Sequence, residues 1–145
     1  MRIISGFLKG RKIDPNQELP LTRPTTDYAK QALFNILSQR FYFEHKNLLD
    51  LFAGTGNLSF EFISRGVQDV DAVEQNPTLI NFIQVTAQKF GVNNQIHGFT
   101  MDVFYFIETC SKQYDFIFCG PPYSLENISL LPDLILKKNL LKELG

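Results

Sequence analysis

Lys46-Asn-Leu-Leu-Asp50-Leu-Phe-Ala-Gly54-Thr-Gly56-Asn-Leu58 is the stretch that decides the fold. Its first seven residues form a short apolar run that stops at two closely spaced glycines. That is the pattern of a buried strand turning sharply into a helix. Downstream the alternation repeats. Residues 57–65 read as a helix ended by Gly66, Asp69–Glu74 as a strand, and Asn76-Pro77 opens a helix that Gly91 closes after Phe90. Residues 94–100 read as a weaker strand, 103–110 as a helix, 114–119 as a strongly apolar strand and 126–138 as a final helix. Pro121-Pro122 ends the fourth strand. Four alternations predict an α/β domain with a parallel sheet and helices on both faces.

Upstream, residues 2–4 and 7–13 flank Ser5-Gly6 and suggest a small β-hairpin. A proline-containing loop over 14–21 follows. Thr25 or Thr26 can cap a helix that runs to about Arg40, with Ala29, Ala32, Leu33, Ile36 and Leu37 as its apolar face.

Composition bounds the reading. The chain has 145 residues, 44% of them hydrophobic and 20% charged, which suits one domain that needs no covalent staples. A net charge of -1 excludes a generally basic nucleic-acid coat. It conceals an asymmetry: residues 1–40 carry +4 and the remainder -5. The split reads either as scatter over a solvated surface or as a basic arm for an anionic macromolecule. Cys110 and Cys119 lack a CxxC pattern, and two histidines are too few for a zinc site, so two buried free thiols and no metal are expected. There is no apolar signal-peptide core at the start and no run near the roughly 20 residues of a membrane span. A soluble, cytoplasmic monomer is the expectation.

In parallel sheets of this kind ligands bind at the carboxyl ends of the strands. Three segments fall there. In Asp50-Leu-Phe-Ala53-Gly54-Thr55-Gly56 the glycines admit a close backbone approach, and the Asp50 carboxylate awaits a hydrogen-bond donor. Ser59 stands where a dinucleotide fingerprint wants a third glycine, and no Gly-Lys-Ser/Thr follows, so nicotinamide and nucleoside triphosphates fit poorly. Glu74 ends the next strand and can accept both hydroxyls of a ribose. Asp102 suits either an adenine amino group or the cap of the helix after it. In Gly120-Pro121-Pro122-Tyr123 two prolines hold an aromatic ring at the mouth of the site, as a plain turn or as a platform for an extruded base.

These residues resemble the bacterial 16S ribosomal RNA guanine-N2 methyltransferases, a class I, S-adenosylmethionine-dependent family. Residues 1–12 are similar to its N-terminal hairpin, Arg23-Pro-Thr-Thr-Asp-Tyr-Ala-Lys-Gln-Ala-Leu-Phe-Asn-Ile-Leu37 to its signature helix, and Asp50–Gly56 to its cofactor loop. The resemblance implies a Rossmann-like fold in one domain, with a hairpin and helix over 1–40 and a cofactor-binding and catalytic core over 46–145. It implies that Asp50, Ala53, Gly54, Thr55 and Gly56 hold the methionine end of S-adenosylmethionine, Glu74 its ribose, and Asp102 with Val103 its adenine. Gly120, Pro121, Pro122 and Tyr123 would hold the guanine, with Tyr123 stacking on it. Arg2, Lys9, Arg11, Lys12 and Arg23 would meet phosphates of 16S ribosomal RNA or an assembling 30S particle. Two features depart from the family pattern. Gly120 replaces an acid or asparagine, which leaves as alternatives a binding relative without turnover or, from the same proline-proline-aromatic turn, an adenine-N6 DNA methyltransferase. The class I sheet has seven strands, whereas the chain reaches only residues 139–145, a turn toward a fifth. The strand at 114–119 is then expected to be an open apolar edge.

Overall fold

The computed structural model describes residues 1–16, 19–20 and 24–145. Its elements run α1 (Asp27–Arg40), β1 (Asn47–Leu51), α2 (Asn57–Ser64), β2 (Asp69–Glu74), α3 (Pro77–Phe90), β3 (Ile96–Thr100), α4 (Val103–Thr109), β4 (Phe116–Cys119), a 3₁₀ turn (Ile128–Leu130) and α5 (Leu131–Lys137). The four strands are parallel in the order β3-β2-β1-β4. Successive strand residues point to opposite faces, and each face has its own core. Leu48, Val70, Ala72 and Ile96 pack against α1, α2 and α3, through Phe34, Phe60, Ile63 and Ile83. Leu49, Leu51 and Val73 pack against α4 and α5, through Val103, Phe106, Ile107 and Leu131. This is the Rossmann-like α/β layering expected from the alternation.

Local chemistry sets the sharpest boundaries. The Asn76 side chain accepts from the Thr78 N–H at 2.9 Å, Pro77 begins α3, and Gly91 ends it at φ 72°. Thr26 caps α1 by accepting from the Ala29 N–H at 3.1 Å. The final helix does not run unbroken over 126–138. Pro132 has no N–H to extend the preceding turn, so a 3₁₀ turn and a short α5 replace it.

Four further expectations are corrected. The N-terminal hairpin is shorter than expected: its one bridge pairs Arg2 with Lys12, the Ile3 N–H donates to the Arg11 carbonyl and the Gly10 N–H to the Ile3 carbonyl, both at 2.9 Å, while residues 5–8 leave the ladder and dock on α2. The Phe7 N–H donates to the Ser64 carbonyl at 3.0 Å and the Leu8 N–H to Ser64 Oγ at 2.9 Å. At Gly6 (φ 86°) a Cβ would lie 1.8 Å from the Ser64 carbonyl oxygen, so only glycine permits this approach. The buried face of α1 is Lys30 and Phe34; Ala29, Ala32 and Ile36 are exposed. Phe34 sits in an aromatic cluster, edge-to-face on Phe62 at 4.7 Å and on Phe43 at 6.1 Å, and this fixes the helix rotation. Tyr114 does not belong to an open edge. It is buried, its N–H donates to the Leu140 carbonyl, and the Lys142 N–H donates to its own carbonyl, pairing it in parallel with Leu141. Both cysteines are free but half-buried rather than buried.

Candidate active site

Because all four strands run the same way, Leu51, Glu74, Thr100 and Cys119 end at one edge of the sheet. Leu51 pairs with Cys119, and the Gly120 N–H donates to the Leu51 carbonyl at 3.2 Å. The glycine turn after β1 and the proline turn after β4 therefore leave the sheet side by side.

The glycine turn is wound left-handed at Phe52 (φ 64°), Gly54 (φ 58°) and Gly56 (φ 78°). For Phe52 that costs on the order of 1–3 kcal/mol, and it is held by packing into the core under α4. The sequence reading missed this residue, since nothing marks a phenylalanine for positive φ. The two glycines do different work. At Gly56 a Cβ would meet Phe60 at 3.0 Å and Ile83 at 3.1 Å, so this glycine seats α2 on α3. At Gly54 a Cβ would meet nothing within 4 Å, so the backbone there borders open space. The Ala53 N–H stays pinned to the Val73 carbonyl at 3.0 Å, and Thr55 is buried with Oγ1 3.8 Å from Met1 Sδ.

Glu74 lies against this turn. One carboxylate oxygen accepts from the Gly54 N–H and the other from the Asn76 N–H, both at 3.0 Å. A carboxylate offers about four lone-pair positions, so a vicinal diol can still be accepted here. Glu74 and Gly54 together thus offer free acceptor positions beside open backbone at the carboxyl ends of the strands.

Asp50 is placed differently from the sequence expectation. It shares the α2 face with Leu48 and is buried, and its donor is Ser59 Oγ at 2.6 Å. Burial pushes its carboxyl up to about 7, the Ser59 hydrogen bond opposing and the nearby Glu74 charge adding to the shift. The serine that broke the dinucleotide fingerprint is the partner of Asp50. The sign for stability follows directly. A carboxyl with a folded pKa above its unfolded value of 3.8 favours the folded state most at low pH, and that contribution falls as pH rises from about 4 towards about 7. Urea denaturation across that window should show Asp50→Asn gaining on wild type as pH rises, with the difference level above it.

Asp102 caps α4 by accepting from the Tyr105 N–H at 3.1 Å, beside buried Val103. Tyr123 is 93% exposed, and Pro122 closes a turn by accepting from the Leu125 N–H. Cys119, beside Asp50, has its thiol pushed up to about 11 by burial and by that charge.

On the N-terminal arm Arg2, Lys9, Arg11 and Lys12 are exposed. Arg2 lies 3.4 Å from Asp27, and the Arg11 guanidinium stands 5.7 Å over the Phe90 ring. Arg23 lies outside the described residues. Lys30, counted in the basic excess of residues 1–40, does not face solvent: it is fully buried with Glu61 at 3.3 Å. Burial lowers its pKa, and Glu61 partly restores it.

At the opposite end of the sheet, Asp69, Asp71 and His97 cluster within 4.8 Å. The Lys112 ammonium sits among them, 2.7 Å from Asp69 and 2.9 Å from Asp71, and Tyr114 donates to Asp71 at 2.6 Å. Burial raises the Asp69 carboxyl, but Lys112 outweighs it and holds the group below its usual range.

The family described as Conserved hypothetical protein 95 matches residues 1–145. Ribosomal RNA small subunit methyltransferase D of Buchnera aphidicola subsp. Acyrthosiphon pisum is 33% identical over 97% of this chain and 72% of its own length. Among solved structures, the Escherichia coli protein yhhF superposes with a TM-score of 0.83 at 23% identity, over 98% of this chain and 75% of that one. More distantly, the methyltransferase PaMTH1 of Podospora anserina, bound to S-adenosylhomocysteine, superposes with a TM-score of 0.62 at 18% identity, over 69% of this chain and 43% of that one. The matched residues span the arm, the glycine turn and the proline turn alike, and the chain belongs to the Conserved hypothetical protein 95 family.

Proposed function

We propose that the protein transfers a methyl group from S-adenosylmethionine to the exocyclic N2 of a guanine in small-subunit ribosomal RNA. One observation carries the reading. Glu74 accepts from the Gly54 N–H at 3.0 Å beside open backbone, and the adjoining strand delivers Gly120–Tyr123 to the same sheet edge. The relatives' ribosomal RNA methyltransferase activity supplies the substrate class.

When bound, S-adenosylmethionine supplies an electrophilic methyl group on a positively charged sulfur. The residues of this chain do the rest. Gly54 and Gly56 shape the turn for the methionine end, Glu74 accepts the ribose hydroxyls, and Asp102 with Val103 borders the adenine. Pro121 and Pro122 fix their own φ angles and set Tyr123 for stacking on the target base. The N2 lone pair of guanine is conjugated with the ring. Acceptors on its N–H bonds help release that pair, and at position 120 the chain offers only a backbone carbonyl. Arg2, Lys9, Arg11 and Lys12 meet RNA phosphates, a contact that weakens as salt rises.

The direct test is labelled methyl transfer to undermethylated 30S particles and to protein-free 16S ribosomal RNA, with the modified nucleoside identified. N2-methylguanosine supports the reading. Binding of S-adenosylhomocysteine without transfer supports a binding relative, the alternative that Gly120 favours. Glu74→Ala is expected to weaken S-adenosylhomocysteine binding about 10- to 100-fold, the loss of charge-assisted hydrogen bonds, as calorimetry would read.

A further inference from the structure

Three polar side chains behind the glycine turn are fully or almost fully buried: Lys30, Asn57 and Glu61. None has a place in the chemistry proposed above. Asn57 is the first residue of α2, directly after Gly56. Its Oδ1 accepts from Lys30 Nζ at 2.8 Å, and its Nδ2 donates to the Thr25 carbonyl at 3.1 Å. Lys30 Nζ also donates to the Arg2 carbonyl at 2.6 Å and faces Glu61 at 3.3 Å. Glu61 in turn accepts from the Ile4 N–H at 2.9 Å and the Ser5 N–H at 3.2 Å. Met1 Sδ reaches Thr55 Oγ1 at 3.8 Å.

The ammonium of Lys30 is thus a joint. One of its bonds holds the backbone of the arm whose outer side carries Arg2, Lys9, Arg11 and Lys12. Another holds Asn57, the first residue of α2, directly after the glycine turn. A buried lysine with a fixed set of acceptors has no water to substitute for a lost partner, so displacement of the arm is felt at Asn57. We propose that Lys30, acting through Asn57, is a positioning residue that couples the arm to the cofactor turn, so that RNA on the arm and S-adenosylmethionine on the turn bind cooperatively. This rests on the function proposed above.

The coupling is reciprocal and is read from binding alone. S-adenosylhomocysteine affinity is measured with and without saturating protein-free 16S ribosomal RNA, for wild type, Asn57→Ala and Asn57→Asp. In wild type the RNA should tighten binding by about fivefold or more. Asn57→Ala should reduce that ratio to within about twofold of unity, the lower limit of a measurable coupling. Asn57→Asp keeps the acceptor that faces Lys30 and loses the donor to the Thr25 carbonyl, so it should preserve most of the ratio; a fall to unity in this variant overturns the route through Lys30, which carries the test if the alanine variant melts early. A purely structural role would lower the melting temperature without moving the ratio. A wild-type ratio of one, with both ligands bound, overturns the coupling and leaves the proposed function standing. So does a ratio in Asn57→Ala equal to that of wild type. Where protein-free RNA does not bind, undermethylated 30S particles take its place; failure of wild type to bind S-adenosylhomocysteine, or to bind either form of the RNA, overturns the proposed function and the coupling with it.

Discussion

Gly120→Asp is expected to raise the rate of methyl transfer by about 10²–10³, the usual worth of one positioned polar group at a reacting centre. The substitution is sterically admissible. Gly120 is not among the glycines with positive φ, so its backbone suits an L-residue. A Cβ there would lie 3.1 Å from Phe118 Cε1, which requires the half-buried phenylalanine to move by a few tenths of an ångström. The new carboxylate would stand at the head of the Pro121-Pro122-Tyr123 turn and accept an N–H of the guanine amine. Single-turnover transfer of labelled methyl groups into undermethylated 30S particles measures the effect, with S-adenosylhomocysteine affinity as the control. An increase in rate at unchanged cofactor affinity identifies the missing acceptor as the limit. An unchanged rate shows that the backbone carbonyl at 120 suffices.

Glu61→Ala is expected to destabilise the fold by about 3–5 kcal/mol, the cost of removing one partner from a buried ion pair. That is a large fraction of the roughly 5–15 kcal/mol of a typical domain. Glu61 is wholly buried and accepts from four directions: the Ile4 and Ser5 amides, Arg65 Nε at 2.8 Å, and Lys30. Its loss strands the Lys30 ammonium and releases the arm from α2. Urea denaturation should show the midpoint falling, and limited proteolysis should open first within residues 1–12. Lys30→Met combined with Glu61→Leu removes both charges and should recover only the share of the loss that the stranded ammonium causes, because the Ile4 and Ser5 amides and Arg65 stay without their acceptor. The double variant should not recover the ligand coupling, which separates the two roles of the pair.

The legibility of this sequence follows the range of the interactions involved. Both ends of α3 could be read because Asn76, Pro77 and Gly91 act within a few residues of themselves. The pairing of Glu74 with the glycine turn could be read because strand-end geometry recurs across parallel sheets. The rotation of α1 could not. An apolar-face count treats Lys30 as a surface residue, and the partner that buries it lies 31 positions away on another helix. The shortness of the arm's hairpin is illegible for the same reason: Ser64, which draws residues 5–8 out of the ladder, is distant in sequence. The donor to Asp50 is Ser59 of the same chain, nine residues on, rather than a bound molecule. The exchange matters chemically, because it leaves Glu74 as the carboxylate that faces the open side of the turn.

The two halves of the site hang from the sheet unequally. The glycine turn follows β1, which is laddered on both sides, by β2 and by β4. The proline turn follows β4, which is laddered by β1 alone among the described residues, apart from the single Tyr114–Leu141 bridge at its far end. In mechanical terms the glycine turn is clamped from both sides, and the loop that Glu74 braces rests on a strand held along both edges. Amide exchange along residues 47–51 should be slower than along 96–100, which β2 alone ladders among the described residues.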